Sequence, residues 1–231
     1  MKKYLVSIFV ILMILIFQFS VFAAPKIQFE SNEYNFKKIF EGEKVKAVFK
    51  YKNVGDENLI ISDITVTCGC TDAKFDKSTL KPNETGEVSA IFDSKGFRNE
   101  VSKSIVLYTN DLTNPEARLV IKGEVIPIAK LEPERFTAPD LITGQKLRYS
   151  VKITPNKPEG FKIKDLKIFG NTISDTKISQ IDKKKNIWEV SFTINAGDSP
   201  RRIIESIYFI TNLPDDLEIR YPIYANVVKG Q

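Results

Sequence analysis

Residues 44–52, Lys-Val-Lys-Ala-Val-Phe-Lys-Tyr-Lys, alternate lysines with apolar side chains over most of their length. Successive side chains of a β-strand point to opposite faces of a sheet, so this alternation predicts a strand with one buried and one solvent-facing side. We expect the buried side to hold Val45, Ala47, Phe49 and Tyr51. The four lysines, Lys44, Lys46, Lys50 and Lys52, are then expected to face solvent.

The chain contains an internal repeat with an offset of 102 residues and no gap. Glu87-Val88-Ser89 recurs as Glu189-Val190-Ser191, and Thr109-Asn110 recurs as Thr211-Asn212. The alternating strand also returns, with its apolar side at Leu147, Tyr149, Val151 and Ile153. A shared offset without gaps predicts that the two halves have the same topology.

Other strands are expected where apolar and polar residues alternate between clusters of Gly, Pro and Asn-Asp. In the first half these strands are predicted at 59–66, 87–92, 101–109 and 116–125. Their counterparts are predicted at 161–168, 188–195, 201–211 and 218–228. No segment shows sustained helical periodicity, and several short strands per ~100 residues are typical of a Greek-key sandwich. We therefore predict an all-β protein with two tandem immunoglobulin-like β-sandwich domains. The aromatic core candidates are Phe49, Phe92, Tyr149, Trp188 and Phe192.

The first residues have the layout of a secretory signal. Lys2 and Lys3 precede an apolar run at 5–17, and Val21-Phe22-Ala23 suits a signal peptidase. We expect residues 1–23 to be a signal peptide cleaved after Ala23, because Pro25 disfavours cleavage one residue later. The alternative is an uncleaved membrane anchor, since residues 4–24 approach the ~20 apolar residues that span a bilayer. Either arrangement predicts an exported chain, periplasmic or extracellular.

Removal of the signal leaves 231 − 23 = 208 residues, enough for two domains of about 100–150 residues each. The predicted domains are 24–126 and 127–231, joined without a Gly/Ser-rich spacer, which favours a semi-rigid tandem. The mature net charge of 32 − 29 = +3 is weak support for any charged partner. We expect Lys183-Lys184-Lys185 to be a solvated hairpin tip rather than a nucleic-acid patch.

The sequence contains no histidine. This removes the usual general base, the usual activator of Ser and Cys nucleophiles, and the commonest ligand of zinc, copper and haem. Both methionines, Met1 and Met13, lie in the predicted signal, so the mature chain also lacks thioether ligands. Acidic residues are scattered through turns and wet strand faces, which is typical of solvated surface. We predict no enzymatic activity and no cofactor.

The two cysteines of the protein lie in Thr67-Cys68-Gly69-Cys70-Thr71, directly after the predicted strand at 59–66. Two thiols one residue apart project from the same side of an extended chain, and the intervening glycine permits a tight turn. A disulfide is possible if the Cα atoms come within ~4.4–6.8 Å. Such a small ring adds little loop entropy, and we expect it to be strained and easily reduced.

Three roles are open for Cys68 and Cys70. They can form a local structural pair, as cysteines in small exported domains commonly do. They can exchange thiols with a partner or crosslink to it. They can bind a metal, at most Cu(I), although two thiolates without His or Met meet its soft-ligand preference only partly. At the repeat offset the motif becomes Gly170-Asn171-Thr172, which indicates that the fold does not need the thiols and favours a role specific to the first domain.

A set of residues between 34 and 125 forms a specific pattern around the Cys-Gly-Cys-Thr element. Its members are Tyr34, Phe36, Glu41-Gly42, Phe49, Tyr51, Asn53, Gly55, Thr67 to Thr71, Pro82 to Gly86, Phe92-Asp93 and Thr109-Asn110-Asp111. With these residues the first half resembles a family of exported bacterial proteins catalogued as domain of unknown function 1573. The resemblance implies an immunoglobulin-like fold, similar to hydin-type and pilus-chaperone-type domains, and implies no activity. Lys37 and Asn83 stand where the family commonly has glycine, and we expect both differences to affect turns.

These observations lead to one main functional hypothesis and several alternatives. The main hypothesis is a non-enzymatic binding or scaffolding module of the cell envelope, which contacts another envelope protein or a surface polymer through strand edges or loops. The alternative is a thiol-redox or partner-crosslinking protein that acts through Cys68 and Cys70. A Cu(I)-thiolate site and a pilus-chaperone-like role are weaker alternatives, the latter because no basic pocket for a partner's carboxylate is evident. We expect no nucleic-acid partner, and contact with a membrane only if the N-terminal segment stays uncleaved.

Overall fold

A computed structural model of the protein describes residues 23–230, and within them the chain is all-β, apart from one short 3-10 turn. Four sheets are arranged as two pairs, and each pair encloses its own hydrophobic core. The predicted signal peptide lies outside the described residues except for Ala23. No helix in the described part of the chain is long and apolar enough to cross a membrane.

The first domain contains nine strands in two sheets. They are β1 (Ile27–Phe29), β2 (Glu33–Phe40), β3 (Lys44–Asn53), β4 (Leu59–Val66), β5 (Thr71–Phe75), β6 (Thr79–Leu80), β7 (Thr85–Asp93), β8 (Asn99–Thr109) and β9 (Glu116–Ile126). One sheet has the order β1-β3-β7-β5 and the other has the order β2-β9-β8-β4-β6. The strand pairs are antiparallel except for β2 with β9. The chain therefore crosses between the two sheets at the β4–β5 connection.

The second domain repeats this arrangement. Its strands are β10 (Ala129–Glu132), β11 (Phe136–Thr137), β12 (Leu141–Ile142), β13 (Lys146–Pro155), β14 (Ile163–Phe169), β15 (Ile173–Asp182), β16 (Ile187–Asn195), β17 (Arg201–Thr211) and β18 (Glu218–Val228). A 3-10 turn at Pro214–Asp216 precedes β18. The sheets have the orders β10-β13-β16-β15 and β11-β18-β17-β14, with β12 also paired to β18.

The predicted two-sidedness of β3 is confirmed. Val45, Ala47, Phe49 and Tyr51 are each at most 9% exposed, whereas the lysines that alternate with them are exposed or, for Lys52, half-buried. Because β3 pairs along its length with β7, the apolar side chains of both strands face the same core. The alternation therefore sets which face of this sheet packs inward.

The predicted repeat is confirmed in four long strands of each domain. The bounds of β13, β16, β17 and β18 are those of β3, β7, β8 and β9 plus 102 residues. The domains differ in two places. One strand, β2, runs along β9 in the first domain, whereas two short strands, β11 and β12, run along β18 in the second. The domains also differ between the β4–β5 crossing and β7. In the first domain a short β6 leaves β5 and pairs with β4, whereas in the second domain one long strand, β15, pairs with β16 throughout.

Three details differ from the sequence-based expectations. Tyr149 and Trp188 are only partly buried against the second core, and the Trp188 indole N–H donates to Oδ1 of the half-buried Asn186, 2.8 Å away. Lys37, expected in a turn, instead lies in β2 beside a register shift against β9. The predicted turn at 82–86 is shorter, since β7 begins at Thr85. The lysine run at 183–185 does form an exposed hairpin tip between β15 and β16.

The connection between the two cores is short. β9 ends at Ile126 and β10 begins at Ala129, so only Pro127 and Ile128 separate them. The Asn156 side chain donates to the Pro127 carbonyl at 2.7 Å, and the Asn156 backbone N–H donates to the Ile128 carbonyl at 3.0 Å. The linker backbone is thereby hydrogen-bonded to the second domain.

Candidate functional site

The cysteine pair lies on the turn between β4 and β5, where the chain crosses between the sheets of the first domain. Cys68 and Cys70 form a disulfide, with their Cα atoms 5.2 Å apart. Both cysteines are half-buried, and Gly69 between them is exposed. The buried Thr71 donates its backbone N–H to the Cys68 carbonyl (3.4 Å), and its hydroxyl lies 3.8 Å from each sulfur. Asp93, the last residue of β7, donates its N–H to the Cys70 carbonyl (2.9 Å).

Metal ligands are sparse around this turn. Within residues 23–230, no group of three or more His, Cys, Asp and Glu side chains is placed to hold a metal ion. In the disulfide the two sulfurs are bonded to each other, so neither is a thiolate ligand in this state. The chemistry directly accessible to the pair is thiol–disulfide exchange.

The second domain closes the equivalent turn by a different device. Here Gly170-Asn171-Thr172 joins β14 to β15, and the Glu205 carboxylate caps the turn from β17. It accepts hydrogen bonds from the backbone N–H groups of Asn171 (3.0 Å) and Thr172 (3.2 Å), and from the Thr172 hydroxyl (2.7 Å). Gly170 has φ 141°, and a Cβ at this position would collide with Glu205. In the second domain, the hydrogen bonds of Glu205 therefore hold the turn that the disulfide holds in the first domain.

Glu205 was not among the functional residues predicted from the sequence. It falls 102 residues after Lys103, so the repeat alignment pairs a carboxylate with a lysine. One sequence signal could have indicated this residue. At the repeat offset, the basic Lys103 of the first half corresponds to the acidic Glu205 of the second half, which has no cysteines. This substitution favours the local structural role for the disulfide, because both copies require some closure at this crossing.

The repeated Thr-Asn pair organises the loops at one end of each sandwich. In the first domain the Thr109 hydroxyl donates to the Asn114 carbonyl (2.9 Å). The Asn110 amide donates to the Asn58 carbonyl (3.0 Å) and accepts from the Ile60 N–H (2.8 Å). The pair thus fixes the β8–β9 turn and ties it to the start of β4.

The second Thr-Asn pair makes the same connections. The Thr211 hydroxyl donates to the Leu217 carbonyl (2.8 Å). The Asn212 amide donates to the Gly160 carbonyl (2.7 Å) and accepts from the Lys162 N–H (2.7 Å). Because the same connections recur in both domains, the role of the Thr-Asn pair is to hold the loop in its conformation. The pair is not by itself a binding feature.

Asp111 follows the first Thr-Asn pair and is almost completely buried. Its carboxylate accepts hydrogen bonds from the Ile27 N–H of β1 (3.0 Å) and from the Thr113 N–H and hydroxyl (2.8 and 2.7 Å). Burial by itself raises the pKa of the Asp111 carboxyl, but the hydrogen bonds from Thr113 and Ile27 outweigh burial and hold this pKa below its ordinary value. Between these anchored residues, Leu112 is 92% exposed.

Asn53 fixes the neighbouring loop from a fully buried position. Its amide donates to the carbonyls of Glu57 (2.7 Å) and Leu80 (3.0 Å), and its oxygen accepts from the Gly55 N–H (3.0 Å). Gly55 lies so close to the N-terminal segment that a Cβ would collide with the Ala24 carbonyl. Residues 24–26, 54–56 and 111–113 together line an open groove of about 370 Å³, which we call the N-terminal loop surface.

A second groove, of about 820 Å³, lies between the two domains. Its lining mixes both charges, including Glu41, Arg98, Lys130 and Arg220. Oε2 of the buried Glu41 has no hydrogen bond, and its nearest cation is Arg98 Nε at 3.4 Å. The charge of Arg98 therefore balances this oxygen, which has no hydrogen bond.

Two of the sheet edges, β15 and β5, are poorly suited to pairing with another chain. β15, an edge strand of the second domain, has register shifts between Ser174 and Lys177 and between Gln180 and Asp182. β5, an edge of the first domain, has only five residues. Bulges and short strands are devices that prevent edge-to-edge pairing. These two edges are therefore unfavourable places for a partner strand to add.

The fold and these loops define a class of protein: two immunoglobulin-like β-sandwiches in tandem, with closed cores and hydrogen-bonded end loops. The family model described as "Protein of unknown function (DUF1573)" matches residues 27–125, which span the first domain from β1 into β9. Over these residues the family model confirms the resemblance seen in the sequence.

Two solved structures align with the chain at low sequence identity. A protein of unknown function from Porphyromonas gingivalis W83 aligns over 87% of this chain and 99% of its own, with 10% identity and a TM-score of 0.35. The PapD-like domain 7 of human CEP192 aligns over 48% of this chain and 92% of its own, with 14% identity and a TM-score of 0.35. Likenesses at this level carry no argument about function. No curated protein sequence matches the chain.

Proposed function

We propose that the protein is a non-enzymatic, exported binding or scaffolding module of the bacterial cell envelope. The observation that carries the proposal is the N-terminal loop surface. In it Leu112 is 92% exposed beside Asp111, whose carboxylate accepts hydrogen bonds from the Ile27 and Thr113 N–H groups. Val54, on the same surface, is 39% exposed. The partner is another envelope protein or a surface polymer.

Rigid loops favour binding because little conformational entropy is lost when a partner docks. Binding residues are commonly carried on loops that a rigid scaffold positions. Here the Asp111 carboxylate joins the β8–β9 turn to β1, and Asn53 holds the β3–β4 loop beside it. The two exposed apolar side chains, Leu112 and Val54, are therefore presented in a defined arrangement.

The residue types of the mature chain also support a binding role. The sequence has no histidine, and both methionines lie in the predicted signal. The groups that remain for general acid–base chemistry are carboxylates, lysines and tyrosines. Asp111, the buried carboxylate of the N-terminal loop surface, is held by three hydrogen bonds that stabilise its charged form, which suits loop support rather than proton transfer.

Site-specific photocrosslinking in living cells tests the proposal. A photoreactive residue replaces Leu112 in one variant and Ile181 in a control; Ile181 is 51% exposed near the β15–β16 hairpin. We expect a discrete adduct from position 112 after export and none from position 181. Equal adducts from both positions, or none from position 112 in exported protein, would contradict the proposed surface.

Thiol exchange is a second candidate function, favoured by the half-buried disulfide on the β4–β5 turn. A partner thiolate would attack one sulfur, the Cys68–Cys70 bond would break, and the other sulfur would leave as a thiolate, giving a mixed disulfide. Titration of the protein against defined thiol–disulfide buffers tests this. A pair that stays oxidised in strong reductant, or never forms a mixed disulfide, would exclude it.

A further inference from the structure

The first described residues form a short two-way ladder with the loop after β3. The Ala24 N–H donates to Asp56 Oδ1 at 2.6 Å, and the Asp56 N–H donates back to the Ala24 carbonyl at 3.2 Å. Two residues along, the Val54 N–H donates to the Lys26 carbonyl at 2.8 Å. Gly55 admits this approach because it has no side chain to meet the Ala24 carbonyl. The position of Ala24 is therefore set by specific contacts.

The Asp56 carboxylate faces Ala24, the residue that the sequence predicts to become the new amino terminus. Residues 21–25 predict cleavage of the bond between Ala23 and Ala24, on grounds that do not involve Asp56. In that step a signal peptidase adds water across the peptide bond, which leaves a carboxylate on Ala23 and an ammonium group on Ala24. One amide N–H becomes a positive group with three donors, 2.6 Å from a carboxylate oxygen.

We propose that Asp56 and the loop around Gly55 form a binding site for the protein's own mature amino terminus, the α-ammonium group of Ala24. This rests on the export step of the proposed function. Signal removal then does more than release the chain, because it adds a charge pair that ties the entry of β1 to the β3–β4 loop. Both partners belong to the N-terminal loop surface, so this surface reaches its final charge and hydrogen bonding only in the processed protein.

The reactivity of the α-amine tests the site without relying on export. The chain from Ala24 onward is produced from a fusion whose protease leaves no added residue, and the α-amine is labelled at neutral pH with a limiting amine-reactive ester. Pairing with Asp56 stabilises the unreactive protonated amine, so labelling should be up to about fivefold slower than in Asp56→Asn, the range of exposed ion pairs. Asp198→Asn, which removes an exposed carboxylate from the second domain, should label like the unsubstituted chain.

A chain that begins at Ala23 provides a second control. Its ammonium group is on Ala23, one residue before the residue that contacts Asp56. Labelling of that chain should not respond to Asp56→Asn. Equal labelling of the Ala24 chain with and without Asp56 would overturn the site, as would an exported protein whose mature terminus is another residue. Failure of export would instead count against the proposed function, while the labelling result would remain readable.

Discussion

The Thr172 hydroxyl donates a 2.7 Å hydrogen bond to Oε2 of Glu205, and this contact closes in the second domain the turn that a disulfide closes in the first. The same carboxylate accepts from two backbone N–H groups. Removal of the carboxylate would leave these donors without their partner at a half-buried position, a loss with a measurable cost.

We therefore expect Glu205→Ala to destabilise the second domain by about 1–3 kcal/mol. Trp188, the only tryptophan, lies in that domain and reports its unfolding by fluorescence during denaturant titration. Glu159→Ala removes an exposed glutamate of the same domain and should change the free energy of unfolding by less than ~0.5 kcal/mol. Equal changes in the free energy of unfolding for the two substitutions would show that the hydrogen bonds of Glu205 do not stabilise the domain.

Loss of the disulfide should have a modest effect. The linked residues are only two positions apart, so the bond restricts the unfolded chain little. We expect the double substitution Cys68→Ser, Cys70→Ser to cost the first domain about 1–2 kcal/mol, measured by denaturant unfolding monitored by circular dichroism. Complete loss of the first-domain transition would mean that the link is required for folding, contrary to a local closure.

Phe49 should be among the most costly residues to truncate in the first domain. Its ring is 2% exposed, so Phe49→Ala removes buried area and leaves a cavity, and we expect a loss of about 3–5 kcal/mol. Val48→Ala on the opposite face of β3 is the matched control, because Val48 is 38% exposed; its expected cost is below ~1 kcal/mol. An unchanged denaturation midpoint for Phe49→Ala would place this ring at the surface.

Lys37 and Asn83 both have left-handed backbone conformations, with φ of 62° and 66°. A side chain in this region costs about 1–2 kcal/mol, partly offset by the greater unfolded-state freedom of glycine. We expect Lys37→Gly to raise the free energy of unfolding by up to about 1 kcal/mol, and Asn83→Gly to raise it less, since asparagine tolerates this conformation. Lys46→Gly, at an ordinary strand position, should instead lower it by about 0.5–1 kcal/mol. A Lys37→Gly protein as unstable as Lys46→Gly would contradict the assignment.

Asp111 should make the first domain sensitive to acid. Because its pKa is lowered in the folded state, its contribution is fully present above the unfolded value of about 3.9 and is lost as the pH falls through the folded value. Asp111→Asn should therefore lower stability at neutral pH and flatten the decline below about pH 4. Unfolding titrations at several pH values, with Asp198→Asn as control, measure both effects. Parallel curves for Asp111→Asn and the unsubstituted protein would refute this role.

The sequence was sufficient for the strands and the duplicated topology. Alternation in β3 and an offset that recurs without gaps are local or periodic signals, and both survive folding because side-chain direction follows directly from the extended backbone. The family resemblance also came from residues at fixed spacing, such as Asn53 and the Thr-Asn pair. Its glycine positions have a structural explanation here, since Lys37 and Asn83 take backbone conformations that glycine adopts readily.

The tertiary structure alone decided which polar groups meet. Glu205 caps a turn more than thirty residues earlier in the chain, and Asp56 faces Ala24 across a similar separation. Asp111 reaches the first strand from the end of β8. No local pattern encodes such pairs, because a carboxylate on a loop acquires its partner only when the sheets bring distant segments within hydrogen-bonding distance. Hydrophobic periodicity thus determined the framework of the protein, and the folded arrangement of its loops determined the candidate sites.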